Sequence, residues 1–163
     1  MLDQRVRALA WAWTALALAG CAEPRWARQT WPSTTPGDYA QPEAHADALG
    51  LELRARAITW EPEAILVELV LRVEGPDPGE LAFEPSAIFL DYDGLEYAPD
   101  RSEPSTRVVM TRGDEQTIEL HYALGRTLTG VGAQLRVRGL ERAGELVVDL
   151  PTLAIPAMPA EAR

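Results

Sequence analysis

From residue 49 onward the chain alternates between apolar and polar positions. Residues 51–57 place Leu51, Leu53, Ala55 and Ala57 on one side and Glu52, Arg54 and Arg56 on the other. That is the period-two pattern of a strand with one buried face. Residues 65–73 put Ile65, Val67, Leu69, Leu71 and Val73 on one face and mix Leu66, Glu68, Val70 and Arg72 on the other, which predicts a central strand. Further strands are predicted over 88–92, 95–98, 107–111, 117–122, 133–139 and 145–150. Turn signals separate them: Gly75-Pro76-Asp77-Pro78-Gly79, Asp93-Gly94, Arg112-Gly113-Asp114 and Ala143-Gly144. No stretch beyond Cys21 holds a helical period for more than two turns. Seven to eight short strands predict an all-β fold, an antiparallel two-sheet sandwich over residues 49–156 with a tail over 157–163.

The first twenty residues follow another pattern. Arg5 and Arg7 precede a charge-free, largely apolar run over 8–20, the form of an export signal spanning 1–20. The run is shorter than the roughly 20 residues a membrane-crossing helix requires. It ends in Leu18-Ala19-Gly20-Cys21, which resembles the lipobox of bacterial lipoproteins. The resemblance implies cleavage between Gly20 and Cys21, acylation of the Cys21 thiol, and usually acylation of the new α-amino group. The mature chain would then be lipid-anchored in the bacterial cell envelope. In the enterobacterial form of that pattern an aspartate after the cysteine retains the protein in the inner membrane. Ala22 stands there, so the resemblance favours the outer membrane.

Residues 22–48 show no hydrophobic period, and Pro24, Pro32, Pro36, Pro42 and Ser33-Thr34-Thr35 interrupt regular structure. They predict a tether over 21–48 with a reach of roughly 30 Å. Trp26 and Trp31 are unusual in a tether. They would serve as interfacial anchors or a hook for a partner, or pack back on the domain.

Composition narrows the functional classes. The chain has 163 residues, the size of one domain, and 47% hydrophobic residues, enough for a real core. A net charge of −10 repels nucleic-acid backbones, so no nucleic-acid partner is expected. Every basic residue is arginine, and lysine and asparagine do not occur, which excludes lysine-dependent phosphate binding and Schiff-base chemistry. Cys21 is the single cysteine, so no disulfide forms within the chain.

Candidate chemistry is sparse, and a non-catalytic protein without a cofactor is expected. His121 shares strand parity with Thr117 and Glu119, opposite Ile118, Leu120 and Tyr122, so it is placed on the polar face of its strand. His45 lies in the tether with no second histidine or cysteine near it, which does not make a usual zinc or copper site. Asp91, Asp93 and Glu96 form the most specific acidic cluster. A two-residue turn at Asp93-Gly94 would set Tyr92 opposite Leu95, Asp91 opposite Glu96 and Leu90 opposite Tyr97. Facing carboxylates are destabilising unless relieved, whether by calcium, by solvent or by an arginine such as Arg101; a shifted register would remove the pair. Arg54 and Arg56 on one strand and Arg136 and Arg138 on another would form an anion-binding patch if those strands were neighbours. Otherwise they form a solvated face with ion pairs to residues such as Glu52 and Glu119.

Phe83-Glu84-Pro85, the stretch Phe89-Leu90-Asp91-Tyr92-Asp93-Gly94-Leu95-Glu96-Tyr97, and Gly113-Asp114-Glu115 leading into 118–124 resemble the immunoglobulin-like domain of exported bacterial lipoproteins. The resemblance implies a fold and an anchored exported location, and no activity. The expected function is therefore binding or structural support in the envelope, through an envelope protein or glycan. The alternatives are an anchored periplasmic hydrolase using paired carboxylates and a calcium-stabilised surface adhesin.

Overall fold

The protein is described from a computed structural model covering residues 26–31, 39–75, 79–147 and 152–159. The segment 1–20 predicted to be an export signal, with Gly20, and Cys21 lie outside the described residues. The strands, in chain order, are β1 (Ala27–Thr30), β2 (Glu43–Ala46), β3 (Leu51–Glu61), β4 (Ala64–Val73), β5 (Leu81–Phe83), β6 (Ile88–Tyr92) and β7 (Leu95–Tyr97). They continue with β8 (Arg101–Glu103), β9 (Val108–Met110), β10 (Glu115–Ala123), β11 (Ala133–Val137), β12 (Glu141–Arg142), β13 (Glu145–Leu146) and β14 (Thr152–Ile155). Helical structure among the described residues is confined to two short 3₁₀ turns, Asp47–Leu49 and Pro85–Ala87. No helix there is long and apolar enough to cross a membrane.

All pairings are antiparallel and the sheets are open. Hydrogen bonding divides the strands into three sheets, where the sequence pattern predicts two. The largest runs β1-β3-β4-β10-β8, with β2 also beside β3; the others run β14-β11-β6-β7 and β13-β12-β5-β9. The two smaller sheets are closely related. The β5–β12 pairing lies along the chain from the β6–β11 pairing, interrupted by the Pro85 turn on one side and Gly139 on the other, and Arg138 N donates to Ala87 O at 2.9 Å across the break.

Period-two burial holds in the long strands. Ile65, Val67, Leu69, Leu71 and Val73 of β4 and Ile118, Leu120 and Tyr122 of β10 are buried in one apolar cluster with Ile88, Leu90 and Tyr92 of β6 and Leu135 of β11. The Tyr122 hydroxyl donates to Ile88 O at 2.8 Å, so the large sheet is tied to its neighbour by a polar bond inside the core. Burial there pushes the phenol pKa well up, which keeps the hydroxyl a donor. Gly50 shows why the start of β3 needs glycine. Its φ is +59°, Glu74 N donates to its carbonyl at 2.6 Å, and a Cβ would lie 1.6 Å from Glu74 O.

In β3 the phase changes. Leu51, Leu53 and Ala55 point into the core, the ladder to β4 slips between Ala55 and Ala57, and Ile58 and Trp60 then take the inward places. At this β-bulge at Arg56 the preceding segment supplies the bonds: Arg56 O accepts from Trp31 N, Ala55 N donates to Pro42 O, and Ala55 O accepts from Gln41 Nε2, each at 2.9 Å.

Those bonds correct the boundary at residue 49. Within the segment predicted to be a tether, β1 pairs with Ala57–Trp60 of β3 and β2 with Leu51–Arg54. Trp31 is 7% exposed and its indole donates to Tyr39 O at 2.8 Å, whereas Trp26 stays exposed. The tail is corrected too, because Met158 belongs to the core cluster. β1 and β2 are four residues each with little apolar content, so their pairing depends on the free edge of β3 and not on their own periodicity.

A chain beginning at residue 49 would therefore lack the Trp31 packing and leave the β3 edge open. Loss of one buried tryptophan costs about 3 kcal/mol or more, so it should melt roughly 10 °C or more below a chain beginning at residue 22, and associate through the open edge. Calorimetry and sedimentation check this, and equal melting of the two chains would refute the assigned role of β1 and β2.

Candidate functional site

Beyond the bulge, the outward positions of β3 are occupied by Ala57 and Thr59, which are buried although they sit on the outer face of the large sheet. They line a depression of about 670 Å³ whose floor is the sheet itself. The register builds that floor in two rows. One row runs Arg28, Thr59, Leu66, His121 and Arg101 across β1, β3, β4, β10 and β8. The other runs Ala57, Glu68, Glu119 and Glu103 across β3, β4, β10 and β8. Ser86, Pro99 and Ser105 complete the wall on the β8 side.

The second row sets three carboxylates opposite one another on neighbouring strands. Glu68 is relieved by Arg28 and Arg56, each at 3.5 Å, and Arg28 is itself held by Thr59 Oγ1 at 3.1 Å. The carboxylates of Glu119 and Glu103 have no ion pair or side-chain hydrogen bond among the described residues. Facing like charges of this kind are destabilising by some tenths of a kcal/mol, and a bound cation would offset that.

In the first row, His121 Nδ1 lies 2.6 Å from Asp100 Oδ1, and its side chain is only 17% exposed. The same carboxylate oxygen accepts from Ala123 N at 3.0 Å, while Asp100 N donates to His121 O at 3.0 Å. Partial desolvation raises the Asp100 carboxyl, but the His121 hydrogen bond, the Ala123 amide and the attraction to His121 outweigh it, so its pKa falls below the ordinary 3.8. Asp100 thus stays ionised and holds the Nδ1 proton of the ring, leaving Nε2 as the acceptor in the neutral form. The cavity therefore offers an oriented imidazole, two unrelieved carboxylates and a small apolar patch around Ala57 and Leu66.

The acidic hairpin has the register inferred from its turn. Asp93 and Gly94 both have positive φ, and Leu90, Asp91 and Tyr92 pair with Tyr97, Glu96 and Leu95. Its charges are relieved by arginines other than Arg101. Arg136 holds Asp91 at 3.0 Å, Arg126 holds Asp93 at 3.2 Å, and Arg138 holds Glu96. Arg138 also lies over the Phe89 ring and Arg126 over Tyr92. Calcium at Asp91, Asp93 and Glu96 would have to displace these cations, so the motive for a metal there is gone.

The four-arginine patch is corrected as well. Arg54 and Arg56 are on β3, Arg136 is on β11 and Arg138 directly follows it, in a different sheet from β3, and each is committed to an acid: Glu52, Glu68, Asp91 and Glu96 respectively. His45 is the other departure from the sequence reading. β2 sets it opposite Glu52, and the ligand atoms of Glu43, His45 and Glu52 lie within 4.8 Å of one another. Ligands sharing one ion at bond lengths near 2.1 Å sit closer than about 4.2 Å, so the group would have to contract, and Arg54 already neutralises Glu52.

Sequence reasoning placed His121 and Glu119 on the right face but missed their neighbours. β8, an Arg-Ser-Glu segment without alternation, gave no signal that Arg101 and Glu103 would complete the two rows.

Two outcomes follow from these charges. Neutralising the hairpin through Asp91→Asn or Glu96→Gln should leave stability unchanged or lower it by up to about 1 kcal/mol, the range for exposed ion pairs. A gain in thermal midpoint, or a calcium-dependent rise lost in either variant, would contradict the arginine pairing. For Asp100, a lowered folded pKa contributes stability above the unfolded value and loses it as pH falls through the folded one. The parent should therefore be more stable than Asp100→Asn above pH 3.8, with the difference vanishing well below it. Thermal midpoints across an acid series check this, and a pH-independent difference would contradict it.

Comparison with protein-family models, with curated proteins and with solved structures finds no match.

Proposed function

We propose that this protein is an exported lipoprotein of the bacterial cell envelope, anchored through acylated Cys21 and favouring the outer membrane. Its domain is a non-catalytic binding module in an immunoglobulin-like two-layer arrangement. The large sheet forms one layer, and the two smaller sheets form the other as one broken sheet, a reading supported by the Arg138 to Ala87 bond across their junction. The anchor is supported by Leu18-Ala19-Gly20-Cys21 after a charge-free run.

The observation that carries the binding role is the cavity of about 670 Å³ on the outer face of the large sheet. Its size is that of a small-ligand or side-chain pocket. Glu103 and Glu119 form no ion pair among the described residues, although Arg101 lines the same cavity, and Leu66 and Ala57 supply an apolar floor. The complementary group is an amine or guanidinium on a short apolar stem, as a basic segment of an envelope protein would present it. A second reading, carboxylate-based hydrolysis, is favoured by one arrangement: the opposed Glu103 and Glu119 share the cavity with a histidine oriented by Asp100.

Feeding cells a labelled fatty acid tests the anchor. The parent should take up label and sediment with membranes, and Cys21→Ser should do neither; an unlabelled, soluble parent removes the lipoprotein reading. Placing a photo-crosslinking residue at Ser105 in intact cells tests the cavity. Glu119→Arg should abolish the adduct without altering the melting temperature by more than a few degrees. An adduct that survives charge reversal would show that binding occurs elsewhere.

A further inference from the structure

The chain enters the domain at one particular end. β1 begins at Ala27, opposite Trp60, beside the turn that joins β3 to β4 at Pro62 and Glu63. Two more connections are bonded to that turn or to each other at the same end. Leu124 N donates to Glu63 O at 2.8 Å and Leu128 N to Pro62 O at 3.1 Å, which brings in the β10–β11 connection. Arg126 of that connection holds Asp93 at 3.2 Å and donates to Tyr92 O at 3.1 Å, which brings in the β6–β7 turn.

This end exposes large apolar side chains. Trp26 is 64% exposed, Leu95 53% and Val131 45%. They come from the residue before β1, the start of β7 and the β10–β11 connection, so no single loop accounts for them. Val109 and Leu146, also exposed, belong to the sheet on the far side of the Pro85 and Gly139 break.

Chain length decides what can meet this end. Six Cα–Cα steps separate Cys21 from Ala27, and covalent geometry limits them to about 22 Å. From Trp60 back to Leu51, β3 extends about 30 Å at 3.3 Å per residue, so a lipid on Cys21 cannot bring the opposite end of the large sheet to the bilayer.

We infer that the end bearing Trp26, Leu95 and Val131 rests on the lipid surface that holds the acyl chains of Cys21, with the cavity on the flank above it. This rests on the lipoprotein reading above. Tryptophan favours the headgroup level, while leucine and valine enter the acyl boundary. Glu61, Glu63 and Asp93 against Arg126 give this end an acidic balance, so the favoured surface is zwitterionic.

The test uses acylated mature protein in phosphatidylcholine vesicles whose acyl chains are brominated. The mature chain has three tryptophans, and Trp31 and Trp60 are 7% and 1% exposed, so quenching reports Trp26. The parent should be quenched, and Trp26→Phe should lose that quenching. Leu95→Glu with Val131→Glu should lose most of it while keeping the fatty-acid label and a cooperative melt. A labelled parent without quenching overturns the docked end alone, leaving the lipoprotein reading standing. Quenching unchanged in the double variant also overturns it, because contact would then come from Trp26 alone. A parent that takes up no label overturns both.

Discussion

Between Ala55 and Ala57 the β3 ladder slips by one residue, and the outer face of the large sheet follows from that slip. A strand with unbroken alternation would carry Ala57 and Thr59 into the core and turn Ile58 and Trp60 to solvent. The bulge keeps both large side chains inside and leaves two small ones outside. Small residues there let the floor sink between Arg28 on one edge and the β8 residues on the other. Core packing and the shape of the outer cavity are thus two results of one irregularity, and its backbone groups are bonded by Trp31, Gln41 and Pro42 from the preceding segment.

Charge is arranged differently on the two faces that carry it. On β6, β7 and β11, each acid of the hairpin has its own arginine, and neutral pairs form a surface with little pull on an ion. On β4, β10 and β8, only the first acid of the row is matched. Both surfaces contain three carboxylates close in space. The distribution of guanidinium groups separates a closed electrostatic surface from an open one.

Legibility in the sequence followed the range of the interaction. The parity of β4 and β10 and the register of the Asp93-Gly94 hairpin are set by neighbours within a few residues, and alternation and turn chemistry reveal them. The phase slip in β3 also leaves a local trace, the adjacent apolar pair Ala57 and Ile58, which ends the odd-numbered pattern. The arginine partners of the hairpin come from β11, the residue directly after it and the β10–β11 connection, more than thirty residues away in the chain. β5 has all three residues buried and so shows no alternation, and β1, β2 and β8 are short segments that become strands only beside a long one. The cavity combines five strands, and three of their four junctions join strands that are not consecutive in the chain, so no reading without the strand order could assemble it.

The edge of β3 is covered in two pieces, β1 over its second half and β2 over its first, with the bulge between them. Neither piece pairs with the other, and each meets the sheet only along one side. Two such covers are two separate units of local opening: lifting β2 exposes the amides near Leu51 without disturbing those near Trp60, and the reverse. The free energies of these openings are set by different side chains, Ala44 under one and Trp31 beside the other. Slow amide exchange along this one strand is therefore governed by two openings, joined by the bond from the Trp31 indole to Tyr39 O, and a force applied through the N-terminus is borne by the tryptophan-backed piece first.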